Sequence, residues 1–190
     1  VKALKKIHFP DAAEEAAMAK KRFEFEDLFL LQLYNIEQKL KLAEEKAPAI
    51  KTDIEWLKQI ITGLPYELTL SQKKSLWEII KDLEKPRPMN RLLQGDVGSG
   101  KTVVAALAAL LAAKNSFQAA FMAPTEVLAR QHFQTLKNLF FGVKSDIQPP
   151  LALITSSDSR VIYETDLEAD IKKEELLDKV KRGEIKIVIG

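Results

Sequence analysis

Three glycines, a lysine and a threonine in the run Gly95-Asp96-Val97-Gly98-Ser99-Gly100-Lys101-Thr102 are the residues whose types and spacing can do chemistry. They fit the pattern G-x-x-x-x-G-K-[ST], a loop that cradles the phosphates of a nucleotide. Gly95, Gly98 and Gly100 let the backbone turn tightly, so that the N–H groups of the loop, those of Asp96, Val97 and Ser99 included, approach phosphate oxygens where a Cβ would obstruct. Lys101 adds a full positive charge that reaches terminal phosphates, which makes it the candidate catalytic residue. The Thr102 hydroxyl is a hard oxygen ligand suited to Mg²⁺. A helix opening at the loop adds its N-terminal dipole, roughly half a positive charge. The chemistry this pattern serves is the binding of a nucleoside triphosphate.

Such a loop needs a strand before it and a helix after it. Leu92-Leu93-Gln94 reads as the end of a buried strand, and Val103 to Ala113, almost all Ala, Leu and Val, as a helix. Further on, Ala119 to Ala123 predicts a second strand that ends at Pro124-Thr125-Glu126. Val127, Leu128, Phe133, Leu136 and Leu139 then predict a helix, and Leu151 to Ile154 a third strand. The polar, acidic stretch 156–173 reads as a long loop or insertion before a helix near Glu174 to Arg182 and a fourth strand, Ile185 to Ile189. Alternating strands and helices give an α/β fold with a mostly parallel sheet covered on both faces. Ligands of such sheets sit at the carboxyl ends of strands, where Gly95, Pro124-Thr125, Thr155 and Gly190 fall.

The first part of the chain is helical by pattern. Ile7-His8-Phe9 is expected to be extended ahead of Pro10. Asp11 and Glu14 have capping-box spacing, and a helix follows to about Glu45, with a charged face read as solvated. Preceding the phosphate loop, a helix of this length reads as a connector or brace. Pro48 ends it. A second helix is expected from Thr52, with Glu55 in capping-box spacing, and a third after Thr69, through Leu76, Trp77, Ile79, Ile80 and Leu83. Gln72 has two readings: the cap partner of Thr69, which spacing alone favours, or an amide offering a donor and an acceptor to an adenine edge. His8 and His132 read as turn or packing residues.

Composition narrows the class. The 190 residues carry a net charge of +2 and 46% hydrophobic residues, so a basic surface for nucleic acid would have to be local. Cysteine is absent, which excludes disulfides and thiolate metal sites and fits a reducing compartment. The apolar run at Val103 to Ala113 is far short of the roughly 20 residues that span a bilayer, and no membrane partner is expected. The chain opens on Val1 rather than Met. The expectation is a soluble piece of a longer cytosolic protein.

Leu64-Pro65-Tyr66-Glu67-Leu68-Thr69 with Gln72, the loop with its lead-in from Leu92, and Ala123-Pro124-Thr125-Glu126-Val127-Leu128-Ala129-Arg130-Gln131-His132 resemble the RecG family of helicase superfamily 2. So do Ala3 to Pro10 and Phe25 to Leu33. The resemblance implies a partial RecA-like P-loop NTPase domain preceded by a long helical linker. Residues 1–47 would be the linker helix from a missing N-terminal wedge domain. Residues 48–190 would be the first part of a helicase motor domain, truncated before the acidic motif. It also implies ATP and Mg²⁺ as cofactors, branched or forked DNA as partner, a monomeric parent and a bacterial cytosolic location. Gln72 becomes the adenine reader, and Thr125 and Arg130 become contacts to the DNA backbone. Two departures stand out. Thr155-Ser156-Ser157 replaces the family's Thr-Gly-Ser, and segment 158–173 is longer and more acidic than the family pattern. A small-molecule kinase of the P-loop class, or a nucleotide-binding scaffold without activity, are the alternatives.

Overall fold

The structure, a computed structural model, describes residues 2–142, 148–163 and 167–190. It divides into two compact units, Val1–Ala47 and Pro48–Gly190.

The first unit is a short helix, α1 (Lys2–His8), followed by a long one, α2 (Ala13–Glu44). The expected extended lead-in is instead helical through His8, with Phe9 N donating to Lys5 O at 2.8 Å. Pro10 restricts only the residue before it, and the helix stops short of that residue. Asp11 does not cap α2 either. Ala12 holds the N-cap position without a side-chain bond. Glu15 turns back instead, accepting from Asp11 N at 3.4 Å and pairing with Lys6. Ala19 is buried, whereas Phe25, Leu28, Phe29, Leu33 and Ile36 stay exposed.

In the second unit come α3 (Ile54–Thr62), α4 (Leu70–Leu83), α5 (Lys101–Lys114), β1 (Ala119–Phe121) and α6 (Glu126–Gly142). They are followed by β2 (Leu151–Ile154), β3 (Ser159–Ile162), β4 (Glu168–Asp170), α7 (Lys173–Lys181) and β5 (Ile187–Ile189). α3 is capped by Asp53, one residue beyond the expected Thr52: its Oδ1 accepts from Trp56 N at 3.0 Å. Its Oδ2 meets Lys114 Nζ at 3.1 Å, and that ammonium lies 4.1 Å from the Trp56 ring centroid. A carboxylate, able to take a charge-assisted bond as well, outcompetes a hydroxyl here.

The sheet runs β1-β5-β2-β3-β4. β1, β5 and β2 are parallel, as the alternation of strands and helices requires. The acidic segment is not simply a loop: β3 and β4 extend the sheet antiparallel to β2 and to each other. The expected strand before the phosphate loop does not join a ladder among the described residues. Leu93 packs on the core there while Leu92 is 86% exposed.

Successive strand residues bury on opposite faces. Leu151, Leu153, Ile187 and Ile189 point to one core with α5 and α6, and Ala152 and Val161 to a second beneath α7 with Leu176. α5 is apolar on every side and is therefore enclosed, with Ala106, Leu107 and Leu111 fully buried. Its first residue is Lys101, so the packing of this one helix fixes where the loop stands.

Candidate functional site

The loop residues occupy the approach to α5. Gly98 and Gly100 both have φ +79°, the left-handed region that glycine enters without strain. At Gly100 a Cβ would lie 2.2 Å from Gln72 Nε2, and at Gly95 one would lie 2.7 Å from Ser99 Oγ. The chain closes with Ser99 N donating to Asp96 O at 3.2 Å. Val97 stands fully exposed at the tip. Lys101 folds back over the loop, its Nζ donating to Gly95 O and Asp96 O, each at 2.7 Å. Thr102 follows in the first turn, half-buried. The residues Gly95 to Lys101 thus form one tight turn, closed by the bond from Ser99 N to Asp96 O, with the Lys101 ammonium folded across it.

Gln72 joins this loop while doing its other work. Its Oε1 accepts from Thr69 N at 2.8 Å, and Thr69 Oγ1 accepts from Gln72 N at 3.2 Å, so the capping box is complete. Its Nε2 donates to Ser99 O at 2.9 Å. A side-chain amide has two donors and two lone pairs. One of each is used, and one of each is left for a ligand edge. The two readings of Gln72 are compatible, and the side chain adds a third role as a tie between α4 and the loop.

Thr125 and Arg130 lie in a second cluster. A cavity of about 260 Å³ at the carboxyl ends of β1, β2 and β5 is lined by Pro124, Thr125, Glu126, Thr155, Ser156 and Gly190, among others. Gly95, expected at the same edge, does not line it. Thr125 Oγ1 accepts from Leu128 N at 3.3 Å, which caps α6 and leaves the hydroxyl proton free to donate. Arg130 does not extend free into solvent. Its Nη1 pairs with Asp158, its Nη2 donates to Ser157 Oγ at 3.1 Å, and Glu126 is 3.9 Å away.

Sequence reasoning passed over the carboxylates here. Glu126 accepts from Ser156 N at 3.1 Å, from Ser156 Oγ, and from Ser157 Oγ at 2.6 Å. Those bonds, the Ser156 hydroxyl foremost, hold its carboxyl below the usual range. Asp158 also takes Arg160 Nε at 2.9 Å. Glu168 receives Gln134, Lys137 and Arg160, which pull its pKa down to about 2, Gln134 contributing most. Of the described carboxylates in segment 158–170, Asp158 and Glu168 are closely paired, whereas Asp170 is 91% exposed. Only Glu126, beside Thr125, had a positional signal. The missing glycine at Ser156 is tolerated because its φ is not positive; among the described residues only Ser116 of the non-glycines has one.

Among the described residues no group of three His, Cys, Asp or Glu is placed to hold a metal, and no helix is long and apolar enough to cross a membrane.

This geometry has close counterparts. The chain is 40% identical to the ATP-dependent DNA helicase RecG of Streptococcus pneumoniae serotype 4, over 99% of this chain and 26% of that protein. It is likewise 40% identical to RecG of Bacillus subtilis (strain 168), with the same 99% and 26% coverage. A solved structure of RecG bound to a three-way DNA junction superposes with TM-score 0.77 and 35% identity, over 99% of this chain and 24% of that one. The chain therefore spans about a quarter of the length of these relatives. Its fold is α/β and RecA-like, as expected. Residues 69–189 match the DEAD/DEAH box helicases over the glycine loop, the Thr125 cap and the strands that carry them, and the chain belongs to that family.

Proposed function

We propose that this chain is the nucleotide-binding segment of an ATP-dependent DNA helicase that remodels branched or forked DNA, reversing forks and migrating Holliday junctions in recombination and repair. The observation that carries the reading is the Gln72 tie: one side chain caps α4, holds the phosphate loop through Ser99 O, and keeps one donor and one acceptor for an adenine edge. The relatives' printed names support the ATP-dependent DNA helicase, and the junction-bound structure supports branched DNA as partner. Residues 1–47 act as a linker from a wedge domain and 48–190 as the first part of the motor, in a parent that works as a monomer in the bacterial cytosol.

Within the site, the backbone N–H groups of Gly95 to Gly100 and the Lys101 ammonium hold the phosphates, and Thr102 Oγ1 serves as a ligand of Mg²⁺. Held there, Mg²⁺ would supply positive charge to offset that of the phosphoryl oxygens. Thr125 and Arg130 are the proposed contacts to the DNA backbone. Hydrolysis in this class also needs an acidic pair and arginines from a second motor domain. By itself the chain binds ATP with Mg²⁺ and does not turn it over at a useful rate.

Calorimetry with Mg²⁺ and ATP tests this directly. The folded chain is expected to bind, Lys101→Ala to lose binding, and Gln72→Ala to lose preference for adenine over guanine. Binding that survives Lys101→Ala, or steady turnover that this variant abolishes, would sink the reading of this segment. In the full-length protein, turnover that DNA fails to stimulate would sink the helicase reading.

A further inference from the structure

We infer that Glu126 and Asp158 are positioning residues which together hold the Thr155–Asp158 turn against the start of α6, and that Arg130 is the cationic half of this brace instead of a phosphate contact. The inference rests on the proposed reading of this end of the sheet as a contact for a DNA backbone, and it withdraws Arg130 from the two contacts proposed above, leaving Thr125.

The turn is clamped at both ends. Glu126, first residue of α6, accepts the Ser156 N–H and the hydroxyls of both Ser156 and Ser157. Asp158 sits one helical turn further along, against Arg130. Inside the turn, Thr155 N donates to Asp158 O at 2.8 Å and Asp158 N to Thr155 Oγ1 at 2.9 Å. Lys173 Nζ then closes on Thr155 O at 3.1 Å. The serine at 156 contributes what a glycine cannot, a hydroxyl for Glu126.

Charge decides the role of Arg130. The Asp158 carboxylate is only 8% exposed and faces two guanidiniums, Arg130 and Arg160. Withdrawing Arg130 toward a phosphate would strip a nearly buried carboxylate of one partner, a loss that a solvated surface contact does not repay. The three cations Arg130, Arg160 and Lys173 are balanced by the carboxylates Glu126, Asp158 and Glu168, so the cluster has little field with which to attract a phosphodiester. DNA passing the cavity is then positioned by neutral donors: the Thr125 hydroxyl and those first-turn N–H groups of α6 that precede Leu128, whose own N–H is taken by the cap.

The test uses the full-length protein with a forked DNA carrying a single-stranded arm. Wild type, Arg130→Gln, Asp158→Asn and the double variant are compared, with Arg130→Lys as the conservative control. Two quantities are read: the slope of log Kobs against log salt for DNA, and hydrogen exchange of the 155–158 amides. A brace predicts about tenfold weaker DNA binding in each single loss, no further loss in the double, and an unchanged salt slope. It also predicts faster exchange at the turn in both single variants, with Arg130→Lys intermediate. A slope reduced by about 0.7 in Arg130→Gln, the value of one phosphate contact to a single strand, would overturn the inference. So would unchanged exchange at the turn. Wild type that binds no DNA would reject the DNA path itself, while the exchange data would still judge the brace.

Discussion

At the scale of single residues, Gly98 and Gly100 share a backbone angle but differ in surroundings. An added Cβ at Gly98 meets nothing within 4 Å, whereas at Gly100 it strikes the Gln72 amide. Gly98→Ala should therefore cost only the left-handed backbone term, about 1–2 kcal/mol. Gly100→Ala should cost more and also push Gln72 off Ser99 O, weakening nucleotide binding. Chemical denaturation and ATP calorimetry on the two variants check the contrast; equal losses would mean that the Gln72 tie does not matter. Glu168 gives a prediction in pH. Its folded pKa of about 2 lies below its ordinary value of 4.5, so its stabilisation is full above about pH 4.5 and is lost as pH falls toward 2. The stability gap between wild type and Glu168→Gln should be widest near neutrality and should narrow steadily between those values. A gap that stays constant on acidification would show that the pairing with Gln134, Lys137 and Arg160 contributes nothing net.

At the scale of elements, α5 joins the core to the loop. Leu107 is fully buried in it, and Leu107→Ala should cost about 2–5 kcal/mol, read as a fall in denaturation midpoint. The helices other than α1 were legible because apolar residues recur at helical spacing; of the three expected caps only Thr69-x-x-Gln72 formed as read. The parallel strands β2 and β5 were legible as unbroken apolar runs. The β3–β4 hairpin was not, because its pairing depends on charge across the strands. Arg160 lies opposite Asp170 in the register and bonds Glu168, and β4 buries no residue fully. No period of hydrophobicity marks such a strand. The run Leu92 to Gln94 shows the reverse failure: its composition suits a strand, but ladder pairing depends on a neighbour that local sequence does not specify. The glycine loop and the segment from Thr125 to Arg130 were readable as motifs; the contacts of Glu126 with Ser156 and of Arg130 with Asp158 were not, because they join residues about thirty positions apart.

At the scale of the molecule, β1 lies at one end of the sheet and, among the described residues, pairs only with β5. Beside it is an apolar hollow of about 570 Å³, lined by Leu93, Ala108, Phe121 and Met122 among others, and Met122 is 93% exposed. An open, apolar sheet edge invites pairing with another chain. The chain on its own should self-associate with rising concentration in sedimentation velocity, and Met122→Lys should reduce that association. A strictly monomeric wild type at high concentration would show that the hollow is too recessed to recruit a partner.

Lys101, bonded to two carbonyls of its own loop, carries a consequence for selectivity. An ammonium has three donors and the two carbonyls take two of them, so on the proposed reading one is left for a phosphate oxygen, and any further bond to phosphate is made by giving up a carbonyl. Only those further bonds are an exchange of acceptors, whose net strength is a difference between two sets of charge-assisted bonds. On the same reading a nucleotide with anionic oxygens at the β and γ positions takes the spare donor and competes for the others, whereas a nucleoside monophosphate, whose single phosphate does not reach that far, leaves the carbonyls where they are. The loop carbonyls would then act as an internal competitor that favours longer polyphosphates.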